Sequence, residues 1–247
     1  MRAPLNDTRL IVYQGYFQEY CAIKWPNAAH LPEGMDLKTS APLFCAGTTA
    51  YNAVTETLKE LPQPANELWI AVIGCGGLGH LGIQYLKAHG CKVIAIDMAD
   101  TALEEARHHG ADYTFNPRND KDYAKKIRKQ ITGKGVHAAI NFTDVLQAYK
   151  DALRIIRYNG VLMTVGLPAQ PLPVQLMDIS MMRLRLRGAN NGRTDQLKQC
   201  LEFSHKHGIK PSITHYKLEQ FHEMLDIMRQ GKQKGRMGIV FEERSKL

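Results

Sequence analysis

Three glycines and one carboxylate carry the most specific chemical signal in the sequence. Gly74, Gly76 and Gly79 stand in the spacing G-x-G-x-x-G, and Asp97 follows eighteen residues after the last of them. Gly74 suits a tight turn, Gly76 a close backbone approach to a diphosphate, and Gly79 the packing of a helix on a strand. A carboxylate at the end of the next strand accepts hydrogen bonds from ribose hydroxyls and repels a 2′-phosphate. Met98-Ala99-Asp100 offers no cation to hold such a phosphate. The chemistry these residues suit is the binding of NAD(H) in preference to NADP(H). Glycine turns are common, so the pattern has weight only when the elements around it agree.

They do agree. Trp69 to Ile73 is β-branched and apolar, as a strand buried on both faces of a parallel sheet must be. A helix is predicted from Gly77 to His89, with Leu78, Leu81, Tyr85 and Leu86 at helical spacing and Gly90 at its left-handed stop. Its N-terminal amides, beginning at Gly77, Leu78 and Gly79, would face the phosphates. Lys92 to Asp97 is the second strand. Beyond it, Asp100 and Thr101 with Glu104 read as a capping box for a helix that ends at Gly110. A short strand at 112–115, a helix at 123–131 and a strand at 137–142 follow. A helix opening at Asp144 carries Val145, Tyr149, Ala152 and Ile156 on one face and stops at Asn159-Gly160. Strands at 161–165 and 182–187 come next, and a helix runs from Asp195 to Gly208. Alternation of βα units at this length predicts an α/β fold with a doubly wound parallel sheet. Upstream lie two strand-like stretches, Leu10–Tyr13 and Phe17–Ile23, and a helical pattern from Ala46 to Leu61. Downstream lie an amphipathic helix with Leu218, Phe221, Leu225 and Met228, and a closing strand at 237–241.

Composition narrows the function classes. The net charge is +8, yet Lys and Arg are spread without a block of five or six, so a solvated basic surface is expected and a nucleic-acid partner is not. Five widely separated cysteines with no C-x-x-C pair fit a reducing compartment and neither a disulfide framework nor a structural zinc site. No apolar run approaches eighteen residues, so no membrane span is expected. The terminal Ser245-Lys246-Leu247 is the peroxisomal import tripeptide. It predicts an import receptor as partner and the peroxisomal matrix as destination, with the cytoplasm as the alternative.

Several stretches together resemble the zinc-type medium-chain alcohol dehydrogenases. Gly15-Tyr-Phe17-Gln-Glu19-Tyr20, Leu31-Pro32-Glu33-Gly34 and Ala41-Pro42-Leu-Phe-Cys45-Ala46-Gly47-Thr-Thr49-Ala-Tyr51 are similar to that family's passage into its cofactor domain. Gly74 to His80, Asp97, Val165-Gly166-Leu167-Pro168, Gly192-Arg193-Thr-Asp195, Lys210-Pro211 and Gly231-Lys232-x-x-Gly235-Arg236 continue in the family's order. The resemblance implies a Rossmann sheet with a remnant of a GroES-like β domain built from the two chain ends. The boundaries are then 1–40 for the remnant, 41–208 for the NAD-binding domain, and 209–247 for the returning helix, strand and import tail. It also implies that Gly74, Gly76, Gly77, Leu78, Gly79 and Asp97 hold the adenosine diphosphate half of NAD, and that Arg236 reaches the diphosphate. Thr49, Val165 and Gly166 would border the nicotinamide.

Departures from the family pattern shape the functional expectation. Cys45 matches the third catalytic zinc ligand, but the stretches that carry the other ligands and the four-cysteine zinc lobe are not in this sequence. Catalytic zinc needs three protein ligands, so no metal site is expected. Cys45 reads more simply as a buried small apolar residue than as a ligand or nucleophile. His80 reads as structural at the helix start. Thr49 and Tyr51 are the candidate donors to a developing alkoxide, and with Cys45 they complete the candidate catalytic set. Apolar faces at Phe17, Trp25, Phe221, Leu225, Met228 and Val240 call for cover, and a homodimer would supply it. The expected activity is a zinc-independent, NAD(H)-dependent oxidoreductase acting on an alcohol, carbonyl or enone. The alternative is a repurposed non-redox protein, such as an isomerase, cyclase, lyase or non-catalytic NAD-binding partner.

Overall fold

A computed structural model describes residues 28–241. The strand-like stretches before residue 28, with Phe17, Cys21 and Trp25, lie outside the described residues, and so does Ser245-Lys246-Leu247. Six parallel strands form the central sheet: β1 (Trp69–Ile73), β2 (Lys92–Ile96), β3 (Tyr113–Phe115), β4 (Val136–Asn141), β5 (Ile156–Thr164) and β6 (Leu184–Gly188). Their order is β3-β2-β1-β4-β5-β6. The chain winds outward from β1 in one direction and then from β4 in the other. A crevice therefore opens where the two windings part, at the C-terminal ends of β1 and β4.

Both faces of the sheet are covered, which is why its strands have no polar side. Ile70, Val72, Val93, Ala95, Ala138 and Ile140 face one core. Their neighbours Ala71, Ile73, Ile94, Ile96 and Ala139 face the other. The first core is closed by α1 (Ala46–Lys59), α2 (Gly79–Ala88), α3 (Asp100–His108) and α5 (Thr194–His207). The second is closed by α4 (Leu146–Ile155) and the helical segment at 123–131. A separate pair of parallel strands, β7 (Ile213–Tyr216) and β8 (Arg236–Ile239), is joined through α6 (Phe221–Arg229). Among the described residues no helix is long and apolar enough to cross a membrane.

Several local expectations are corrected. No capping box opens α3: Ala99 is its N-cap, without a side-chain cap bond. The Asp100 carboxylate instead accepts from Asn116 Nδ2 at 2.7 Å. Helix α4 ends at Ile155 and β5 begins at once at Ile156. Asn159-Gly160 is thus not the helix stop. Asn159 sits at φ 57° inside a bulge of β5 opposite a register shift on β4. The segment after Lys126 winds as a π-helix over Ile127–Ile131. On α6 the buried residue is Met224, which the sequence pattern did not mark; Phe221 and Leu225 are half-buried, while Met228, and Leu218 in the turn before the helix, are exposed. Strand β6 starts two residues late, after Met182 at φ 54°.

Alternation on β6 sends Arg185 and Arg187 to the α1 side. Arg187 Nε donates to Glu60 Oε1 at 2.6 Å, and Arg185 Nη1 donates to the Glu60 carbonyl at 2.7 Å. The Arg187 guanidinium holds the Glu60 carboxyl below its ordinary range. This clasp ties the end of α1 to the edge strand. Replacing Glu60 by alanine should cost about 1 kcal/mol. A thermal melt should register that as a lower Tm by about 2–4 °C, and an unchanged melt would deny the clasp any stabilising role.

Candidate functional site

The crevice is built around the turn that joins β1 to α2. Gly74 sits at φ 84°, a conformation that L side chains rarely adopt, and a Cβ there would run into the Thr143 side chain. At Gly79 a Cβ would fall on the carbonyl of Gly74, so the first turn of α2 lies directly against the glycine loop. At Gly76 the opposite holds: a Cβ would meet nothing within 4 Å, because that position faces the open cleft. No side chain caps the start of α2. Its leading amides and positive dipole end are therefore aimed at the space in front of Gly76. Arg236, the first residue of β8, closes the far side: a Cβ at Gly77 would lie 3.0 Å from Arg236 Nη1.

Asp97 follows the last residue of β2. Its Oδ2 accepts from Cys75 N–H at 2.7 Å and its Oδ1 from Ala99 N–H at 2.8 Å. Those bonds fix the carboxylate and leave each oxygen a second lone pair. Asp97 divides two hollows. On one side lies an apolar pocket of about 120 Å³, with Ile73, Ile96, Met98, Pro117 and Val145 in its walls. On the other lies a cleft of about 470 Å³ bordered by Cys75, Gly76, His80, Thr101, Ser212 and the loop 231–235.

His80 is buried in the first turn of α2, with 1% of its surface exposed. Its Nδ1 lies 2.8 Å from Gly76 O, and its Nε2 accepts from Ser212 N–H at 3.0 Å. One nitrogen must carry the proton and the other must not, so the ring is neutral in a single tautomer. Burial lowers its pKa to about 4, with the nearby His109 and Arg236 charges adding to the effect. This agrees with the structural reading of His80.

At the β6 end of the crevice, Thr49 on α1 is buried, and its hydroxyl lies 2.8 Å from Cys45 O and 2.5 Å from Asn191 Oδ1. Val165 and Gly166 follow β5, and both of their amides donate to Asn141 O, at 3.1 and 3.0 Å. A Cβ at Gly166 would collide with the Thr143 carbonyl, so this loop and the β4 loop are packed backbone to backbone. The backbone of Val165 and Gly166 thus borders the same crevice as the glycine turn, through Thr143.

Two expectations fail here. Cys45 is exposed rather than buried, because it precedes α1 at the rim, with Asn191 Oδ1 3.9 Å from its thiol. Among the described residues Cys75, Cys91 and Cys200 are the buried thiols, and burial raises the pKa of each. Tyr51 is not a donor facing the crevice. Two residues beyond Thr49 it lies about 200° around the helix, and its ring packs at 5.4 Å on Tyr85 and 5.5 Å on Phe203. Burial there raises its pKa. Among the described residues no three His, Cys, Asp or Glu side chains converge to hold a metal ion.

Sequence reasoning missed Thr143, Asn191 and Ser212. Asn190-Asn191-Gly192 carried a turn signal, but nothing local marks Thr143 or Ser212 as neighbours of the glycine loop.

Comparison with known proteins places this geometry. Residues 77–206, just over half of the chain, match the family model described as zinc-binding dehydrogenase. Two alcohol dehydrogenases of Geobacillus stearothermophilus are 32% and 33% identical over 223 and 229 residues. The alignments cover 90% and 93% of this chain but 64% and 65% of theirs, so the chain spans a little under two thirds of these relatives. The crystal structure of an alcohol dehydrogenase from Aeropyrum pernix superposes with a TM-score of 0.75 at 25% identity, over 85% of this chain and 61% of that one. An acetophenone reductase from Geotrichum candidum, solved in complex with NAD, shares the fold with a TM-score of 0.72 at 22% identity, over 86% and 58%.

Proposed function

The chain belongs to the zinc-binding dehydrogenase family, and from that premise we propose that it is an NAD(H)-dependent oxidoreductase of the alcohol dehydrogenase type. The observation that carries the cofactor reading is Asp97, fixed by two backbone amides between an apolar pocket and the glycine-turn cleft. An adenine ring suits the first hollow, ribose hydroxyls the free lone pairs of the carboxylate, and a diphosphate the amides at Gly76 to Gly79 with Arg236 across from them. The nicotinamide end would then point along the crevice toward Thr49, Val165 and Gly166.

Within that reading the residues have separate tasks. Gly74 and Gly79 shape the turn, and Gly76 leaves room for the ligand. Thr49 holds a hydroxyl proton between the Cys45 carbonyl and the Asn191 carboxamide, where a substrate oxygen could take that proton's hydrogen bond. A bound nicotinamide would accept or supply a hydride, and the substrate would be an alcohol, its carbonyl or an enone. We further propose that activity needs no zinc, that Ser245-Lys246-Leu247 addresses the protein to the peroxisomal matrix through its import receptor, and that a homodimer covers exposed apolar surface.

Fluorescence titration tests the cofactor reading. Wild-type protein should bind NADH well above NADPH. Asp97→Ala should weaken NADH by about tenfold, since hydrogen bonds to a charged group are lost, and should narrow or reverse the preference. Equal binding of both cofactors by the wild type would defeat this assignment. Absorbance assays on alcohols, aldehydes and enones then look for turnover, and stoichiometric zinc in the active protein would overturn the metal-free part of the proposal.

A further inference from the structure

We infer that His80 is a positioning residue for the cofactor clamp, holding Arg236 against the glycine turn through Ser212. The inference rests on the NAD(H) reading and assigns a second element to that site.

The contacts form a closed circuit between segments far apart in sequence. His80 Nδ1 is bonded to Gly76 O inside the turn, and Nε2 takes the Ser212 amide proton at 3.0 Å. Ser212 O in turn accepts from Arg236 N–H at 2.7 Å, which seats the first residue of β8. Gly235 is pressed so closely on Ser212 that a Cβ would run into its carbonyl. The Arg236 side chain then returns to Gly77, one residue from where the circuit began. Ser212 is pinned a third time, its hydroxyl donating to Glu105 Oε2 on α3 at 3.1 Å, with His109 Nε2 3.2 Å away.

The physical need for such a device is plain. Strand β8 belongs to the two-stranded β7–β8 sheet, not to the six-stranded sheet that carries the turn. An arginine on a separate sheet binds a diphosphate more tightly when its distance from the turn is fixed before the ligand arrives, because less freedom is then lost on binding. His80 supplies that link: it accepts a hydrogen bond from one unit and makes one within the other. A phenylalanine in its place would fill similar volume and do neither.

A double-mutant cycle with ADP-ribose as probe, read by calorimetry, tests the inference. Arg236→Ala should weaken binding about tenfold, the scale of a lost charge-assisted bond. His80→Phe should weaken it by a similar factor, and the double variant should bind within about twofold of Arg236→Ala alone. Adenosine, which lacks the diphosphate, should bind all of them alike. Losses that multiply in the double variant would overturn the inference, since a purely structural histidine acts independently of the arginine. Should His80→Phe fail to fold, the circuit can be opened from its other side. Ser212→Pro removes the donating amide and should reproduce the loss, while Ser212→Ala keeps the amide, gives up only the hydroxyl's contacts with Glu105 and His109, and should bind ADP-ribose more tightly than Ser212→Pro. Equal binding by Ser212→Pro and Ser212→Ala would refute the link. A wild-type protein that ignores ADP-ribose would instead bring down the cofactor reading itself, and this inference with it.

Discussion

Gly79→Val should leave no measurable NADH binding and a protein that melts far below the wild type. A Cβ at position 79 falls on the carbonyl of Gly74, which is backbone and has no rotamer to adopt. Relief requires α2 to lift from β1. Yet α2 contributes Leu81, Ile83, Tyr85 and Leu86 to the first core, all of them fully buried. Overpacking of this kind costs about 1–3 kcal/mol where side chains can yield and more where backbone is struck. Gly76→Ala provides the contrast. Its methyl would meet nothing within 4 Å, so the melt should match the wild type. The same methyl would stand in the space assigned to the diphosphate, and affinity for NADH should fall at least tenfold. Paired melts and titrations of the two variants separate fold from site. A Gly76→Ala protein with full affinity would show that nothing binds in front of that turn.

Acid should unfold the protein over a window set by two buried histidines. His80 and His137 both have pKa values lowered to about 4, burial being the main cause in each. His137 Nδ1 accepts from Trp69 N–H at 3.0 Å, and the Arg157 charge opposes protonation further. In the unfolded chain each would titrate near 6.5. Between those values the unfolded state binds more protons than the folded one, so stability rises with pH there. It is fully present above about pH 6.5, declines as pH falls through the window, and stops declining near pH 4. Each group accounts for about 3 kcal/mol across it. Together that is a large share of the usual margin of about 5–15 kcal/mol. Urea titrations at pH 7, 6, 5 and 4.5 should show the midpoint dropping steadily. A constant midpoint would mean that neither ring is buried in its neutral form. His80→Phe should flatten part of the slope, because one of the two titrating groups is gone.

Much of this was legible in the chain because it is local. The βα alternation is a matter of period, two in the strands and 3.6 in the helices, and six strands of the central sheet stand close to where the pattern put them. The glycine turn and Asp97 belong to one βαβ unit, so their partnership could be read from spacing within twenty-odd residues. What escaped depends on which way a side chain is turned and on what arrives from elsewhere. Thr49 and Tyr51 are neighbours in sequence but sit on opposite sides of α1, one at Asn191 and the other at Tyr85 and Phe203. Cys45 lies at the rim, exposed. Helix α4 passes into β5 without a break, since the sheet's hydrogen bonds outweigh the stop signal at Asn159-Gly160. The partnership of His80 with Ser212 spans 132 residues, and no periodicity encodes it. Sequence by itself determined which elements form and which glycine turn opens the crevice, since those follow from backbone sterics and burial over short range. Only the tertiary structure decided which distant groups close that turn, because their meeting is fixed by how the sheets and helices pack.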